Sequence, residues 1–257
     1  VPTKTRQLLL EGIRARDADV KALVKDFEAA LRAALKKNLG KALSGDLGPT
    51  QAIAMLGRMY EQLEAAGLTD KLERIKELYG RELKTAKKVL EAAGKENVFA
   101  GVSLDDVQAL IDLDVSAIKS RVFASTDKLR SAVARNILAG DPTAFPTLYD
   151  GLVGNLTGAL ETELNTATSA FYQTVINRQA GALGLDLWVY EGPEDDITRP
   201  FCQDLIDGGR VYTSEEIAGM ANGQDLPVET YGGGYNCRHQ WSPISEADAK
   251  EFYGYEP

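Results

Sequence analysis

Two short segments hold both cysteines and the single histidine of this 257-residue chain. They are Asp195-Asp196-Ile197-Thr198-Arg199-Pro200-Phe201-Cys202 and Gly232-Gly233-Gly234-Tyr235-Asn236-Cys237-Arg238-His239. Sulfur and imidazole gathered in this way point to a local cross-link, by metal or by disulfide, in a module too small to hold itself. Cys202, Cys237 and His239 are all zinc donors, and a carboxylate from Asp195, Asp196 or Asp204 would complete a set of four; Asp196 is the candidate carried forward. Cys-x-His is tighter than the spacing of a standard zinc finger, so three readings stay open: a structural zinc, a Cys202–Cys237 disulfide, or two free thiols. A bridge closing a loop of about 35 residues is worth on the order of 3–4 kcal/mol in the chain-entropy model. A module of about 70 residues needs such help.

One histidine narrows the catalytic options. HExxH metalloproteases, three-histidine zinc sites and His-metal-finger nucleases all need more imidazole than the chain owns. A Ser-His-Asp or Cys-His system would have to use His239, and no orienting residue or oxyanion donor stands out around either cysteine. Gly232-Gly233-Gly234 lacks the Lys-Ser/Thr of a phosphate-binding loop. Two-carboxylate hydrolysis needs no histidine, and Glu161 with Glu163, or Asp195 with Asp196, are its candidates. Catalysis is not the expectation: the chain reads as a non-enzyme.

The elements that must position these residues are mostly helices. Leu9, Ile13, Val20, Leu23, Val24, Phe27, Leu31 and Leu35 recur at steps of three, four and seven, which predicts a helix over about 8–39. Gly40 and the Ser44–Pro49 stretch are expected to break it. Further helices are expected over about 50–66, 70–93, 103–139 and 148–183, with Gly67 and Gly94 as C-terminal stops and Ser103-x-x-Asp106 as a cap. An interruption is expected near Ser125-Thr126-Asp127, and a turn at Gly140–Pro142 and Phe145-Pro146. The small polar run Thr162–Ala170 suits close packing against a partner or a neighbouring helix.

The texture changes at Gly184. Leu185–Tyr190 alternates as a strand does, Arg210–Tyr212 and His239–Ile244 read as two more, Thr213–Glu216 caps a short helix, and a tail helix follows over 245–253. Trp188 and Trp241 are expected in the core of this part; Tyr253 and Tyr255 have no evident core duty and read as docking residues. The expected fold is mainly α: an elongated helical body, 1–183, and a small C-terminal α+β module, 184–257, clamped around two cysteines.

The 44% hydrophobic content is ordinary for a globular protein. No apolar run reaches the roughly 18–20 residues of a membrane helix, so no membrane contact is expected. The first residues lack a signal-type apolar region, and the expectation is a cytoplasm-like compartment. The net charge of −9 is uneven: residues 1–100 hold 19 Lys+Arg against 14 Asp+Glu, residues 101–257 hold 10 against 24. Affinity for DNA rests on Lys and Arg releasing counterions, so the acidic part is not a duplex binder, and only a minor DNA contact by the basic N-terminal part is entertained.

The ordered pattern of a strand, Asp-x-x-Thr-Arg-x-x-Cys, Leu three residues on, Gly-x-Val-Tyr and Tyr-Asn-Cys-Arg resembles the C-terminal signature of the phage minor head proteins, the Mu F-like head-morphogenesis family. Its residues here are Asp195 or Asp196, Thr198, Arg199, Cys202, Leu205, Gly208 or Gly209, Val211, Tyr212, Asn236, Cys237 and Arg238, within about 160–245. The chain departs from the pattern in two places. Gly232-Gly233-Gly234-Tyr235 replaces a Pro-Pro-x-His stretch, and His239 stands where the family often has a second Cys, a position an imidazole fills acceptably for a metal.

The resemblance implies a structural virion protein: a minor head protein in a tailed-phage head, met in the host cytoplasm during assembly. Its implied partners are the portal protein and the major capsid protein, with self-association through the helices, and its role head assembly or genome passage. The alternatives are a two-carboxylate hydrolase and a phage-encoded toxin or effector. Arg199 is expected to pair with Asp195 or Asp196 and fix the loop leading into Cys202.

Overall fold

A computed structural model describes residues 3–43, 48–65, 67–95, 103–140 and 145–256. The fold is mainly α, 74% helical, with a small three-stranded antiparallel sheet near the C-terminus. The chain opens with α1 (Lys4–Leu43), α2 (Pro49–Gly57), α3 (Met59–Ala65), α4 (Leu68–Glu73), α5 (Ile75–Ala92), α6 (Leu104–Ala139) and α7 (Phe145–Ala182). It continues through β1 (Leu187–Glu191), α8 (Pro200–Gly208), β2 (Tyr212–Thr213), α9 (Ser214–Ala218), α10 (Val228–Tyr231), β3 (Gln240–Pro243) and α11 (Glu246–Tyr253). Among the described residues every strand lies beyond Gly184, where alternation replaces the helical period.

Several boundaries differ from the sequence reading. Gly40 stays inside α1, since one glycine costs a helix only about 1 kcal/mol. The helices expected over 50–66 and 70–93 are each divided, at Arg58 and at Arg74, and the Arg58 N–H bonds the Met55 carbonyl at 3.1 Å as the turn tightens. α6 runs unbroken through Thr126, whose hydroxyl donates back to the Val122 carbonyl at 2.8 Å and so needs no other partner. Phe145-Pro146 opens α7 rather than forming a turn; proline is at home there because a first-turn N–H has no helical acceptor. Residues 141–144 of the expected turn, and 44–47 of the expected break, lie outside the described residues.

The chain forms two compact units: Val1–Asp19, Glu77–Ile111 and Thr162–Pro257 make one, Val20–Lys76 and Asp112–Glu161 the other. The change of texture at 184 is thus a change of secondary structure within the first unit. The second unit is wholly helical among its described residues. Val24, Phe27 and Leu31 of α1, Leu56 of α2, Met59 and Leu63 of α3, Val122 of α6 and Leu160 of α7 are buried in it. Tyr60 meets Phe123 edge to face at 5.6 Å.

In the first unit, Leu9 and Ile13 of α1, Tyr79, Ala86 and Leu90 of α5 and Phe171 and Tyr172 of α7 are buried, with Tyr79 and Phe171 in an edge contact at 4.8 Å. The sheet order is β2-β1-β3. Alternation along β1 sends Leu187 and Val189 to a cluster with Val211, Ile244 and Ala249, against which Tyr253 and Tyr255 pack. The two tail tyrosines therefore have a core duty, contrary to the docking role expected of them. Trp188 and Tyr190 take the opposite face, where Tyr190 and Tyr212 meet Trp241 at 4.6 and 5.3 Å.

The small polar run of α7 receives C-terminal residues of the same chain. Thr166 Oγ1 accepts from the Asn236 N–H at 2.8 Å, and Asn165 Nδ2 donates to Asn236 Oδ1 at 2.9 Å. Two turns on, the Gln173 amide accepts from the Trp241 N–H at 3.0 Å and donates to the Trp241 carbonyl at 3.3 Å, satisfying an edge-strand residue as a neighbouring strand would.

Candidate metal centre

Cys202 sits in the first turn of α8, which Pro200 starts and Arg199 caps from an extended conformation. Cys237 and His239 flank Arg238 on the approach to β3. Their placement depends on Asn236, which adopts a left-handed φ of 56°, a conformation asparagine tolerates better than most residues. The Cys202 and Cys237 sulfurs stand 3.8 Å apart and both are buried. One ligand atom each from Cys202, Cys237 and His239 lies within 4.8 Å of the others, so the three could bind a metal. The expected convergence of the two segments is therefore present.

The separation of the sulfurs decides what fits. Two thiolates on one tetrahedral zinc, each at about 2.3 Å, stand about 3.8 Å apart, whereas a disulfide closes them to about 2.05 Å. The cysteines are free thiols here at the longer distance. The surrounding backbone leaves room for nothing larger: a Cβ on Gly233 would overlap the Cys202 sulfur, and one on Gly192 the His239 ring. Of the carboxylates, none belongs to the cluster among the described residues. Asp196 is exposed in the turn that Thr198 N–H closes onto the Asp195 carbonyl at 2.9 Å, and is not brought to the sulfurs.

Hydrogen bonds prepare the thiols. The Gly233 N–H donates to Cys237 Sγ at 3.2 Å, and Tyr190 Oη stands 3.5 Å from each sulfur. His239 Nδ1 lies 3.9 Å from Cys237 Sγ, and its ring stacks on Tyr190 at 5.6 Å. The hydrogen bond from the Cys202 thiol, against the cost of burial and helped by His239 and Tyr190, pulls the Cys237 thiol well below its ordinary value. The same bond, with burial, pushes the Cys202 thiol up, because a second negative charge beside the first is unfavourable. Burial and the two thiols push the Tyr190 hydroxyl well above its usual range, so it stays a neutral partner.

The charged residues of the motif divide their work differently from the expectation. Arg199 does not pair with Asp195 or Asp196; it donates to the Gly233 carbonyl at 3.1 Å and the Tyr235 carbonyl at 2.6 Å, tying α8 to the glycine loop. Arg238 takes Asp195 instead, at 2.6 Å, and this hydrogen bond holds the Asp195 carboxyl below its usual range. Glu161 and Glu163, two residues apart on α7, diverge by about 200° around the helix axis. Sequence reasoning missed Tyr190 and Arg16; the alternation of β1 could have flagged Tyr190, but nothing local marks Arg16, whose guanidinium donates to the Arg238 carbonyl at 3.3 Å from 222 residues away.

No protein-family model matches this chain, and no curated protein or solved structure matches it.

Proposed function

We propose that this protein is a structural virion protein: a minor head protein of a tailed phage that docks on the portal and major capsid proteins and serves head assembly or genome passage. What supports the reading is how the motif residues are spent. Thr198 and Asp195 build the turn, Arg199 clamps the glycine loop, Arg238 returns to Asp195, and Val211 and Tyr212 are core residues. The signature reads as the locking parts of one small module, and its side chains are committed to that lock rather than to a substrate. In the same reading Cys202, Cys237 and His239 hold a structural zinc, which would supply a cross-link between α8 and the approach to β3; a Cys202–Cys237 disulfide is the alternative clamp. Among the described residues no helix is long and apolar enough to cross a membrane.

The test is the protein inventory of purified phage particles and of their assembly intermediates. The reading expects a few copies per particle, co-purifying with the portal and resisting removal by nuclease. Absence from both particles and intermediates overturns it and returns the hydrolase reading to first place.

A further inference from the structure

A groove of about 460 Å³ is bounded by the end of α7, the start of β1, α9 and α10. That size suits a side chain with its neighbours or a small ligand. Its walls are largely apolar: Leu185, Ile217 and Ala218 line it together with both tryptophans of the chain, Trp188 and Trp241.

The polar groups of the groove are unevenly committed. Each side-chain nitrogen in it already donates: Trp188 Nε1 to Ser214 Oγ at 2.9 Å, Trp241 Nε1 to the Val228 carbonyl at 3.1 Å, and Asn177 Nδ2 to the Glu229 carbonyl at 2.7 Å. Acceptors are left over. Asp186 accepts only one weak bond, from the Ser214 N–H at 3.3 Å, and the Glu229 carboxylate has no hydrogen bond or ion pair among the described residues. No lysine, arginine or histidine lines the groove. An apolar floor beneath two uncompensated carboxylates repels anions, offers little to a donor-free apolar group, and favours a long aliphatic stem with a cationic head.

We infer that this groove is a docking site for a partner-protein segment that inserts an arginine or lysine side chain flanked by apolar residues. The inference rests on the groove's chemistry and stands whether or not the partner belongs to a phage particle. Intrinsic fluorescence reads occupancy directly, because both tryptophans lie in the wall. The full chain is titrated with acetyl-Leu-Arg-Leu-amide, with its citrulline counterpart, and with acetyl-Leu-Glu-Leu-amide. The arginine peptide should give a saturable change, the citrulline peptide should bind about tenfold more weakly, and the acidic peptide should give none. The double variant Asp186→Asn/Glu229→Gln keeps the acceptor for Ser214 and the Asn177 bond, and should lose about tenfold for the arginine peptide only. Should that variant fail to fold, a salt series on the unaltered chain serves: only arginine binding should weaken as the screening length falls below about 5 Å. Equal responses to all three peptides would assign the groove to an apolar occupant, and no saturable response to the arginine peptide would remove the site; either overturns the inference.

Discussion

The two compact units bury different kinds of side chain. Among the described residues of the helical unit, the buried polar ones are Thr126 and Thr157, and each hydroxyl merely bonds its own helix, to Val122 and Val153. Its cross-helix polar contacts include exposed ion pairs, such as Arg74–Asp26 at 2.9 Å and Lys76–Asp112 at 3.0 Å, and a half-buried hydrogen bond from the Tyr60 hydroxyl to the Phe123 carbonyl at 3.0 Å. The sheet-bearing unit buries Arg16, Glu82, Asn165, Gln173, Gln179, Glu191, His239 and Gln240. Exposed pairs are individually worth about 0–1 kcal/mol and are exchangeable, whereas a buried polar group tolerates only the partner that fits it. The helical unit therefore needs an apolar period and little else; the sheet-bearing unit needs particular residues at particular places.

The largest expected effect breaks the sheet-bearing unit at its aromatic centre. Trp241→Ala should cost about 3–5 kcal/mol in urea unfolding, since it removes the ring between Tyr190 and Tyr212. Next comes Glu82, whose carboxyl is pushed up to about 7 by burial, opposed by Arg16 and reinforced by Asp17. The folded chain then binds this proton more tightly than the unfolded chain, whose carboxyl titrates near the ordinary 4.5. Glu82's contribution is therefore most favourable below about pH 4.5, is lost as pH rises to about 7, and is level above that. Glu82→Gln should stabilise the protein by up to about 3 kcal/mol at pH 8, with the gain vanishing below about pH 4.5. A gain that does not change with pH would contradict this.

Gly233→Ala should cost about 1–3 kcal/mol, because the added methyl meets the Cys202 sulfur, and it should spread the two cysteines. Thermal melting and thiol reactivity would register both. The smallest effect belongs to the helical unit: Asp26→Asn, which removes the exposed partner of Arg74, should change stability by less than about 1 kcal/mol, and by less still in high salt. A loss of several kcal/mol there would erase the contrast between the units.

What the sequence revealed follows the same division. Apolar spacing is a local signal, so the long helices and the three strands were legible, as were two caps, Thr213 with Glu216 and Ser103 with Asp106. Cys202, Cys237 and His239 were legible because their types are rare in this chain. The pairing of polar groups across the fold was not. Arg199 and Arg238 are chemically alike, and only the folded chain assigns one to two carbonyls and the other to Asp195. The polar run on α7 showed that something would pack there, but not that Gln173 would close the edge of β3. The short helices α8 and α10 escaped notice, each being too brief to show a period.

We propose that the sheet-bearing module is locked where Cys202, Cys237 and His239 meet. Elemental analysis with a thiol count, on chain purified under reducing conditions and equilibrated with zinc, tests it most directly. The account expects one zinc per chain with both thiols protected, and loss of the metal together with earlier melting in Cys237→Ser. A metal-free chain whose two thiols react freely, and whose Cys237→Ser variant melts unchanged, would contradict it; a metal-free chain lighter by two hydrogens would replace the zinc with a disulfide.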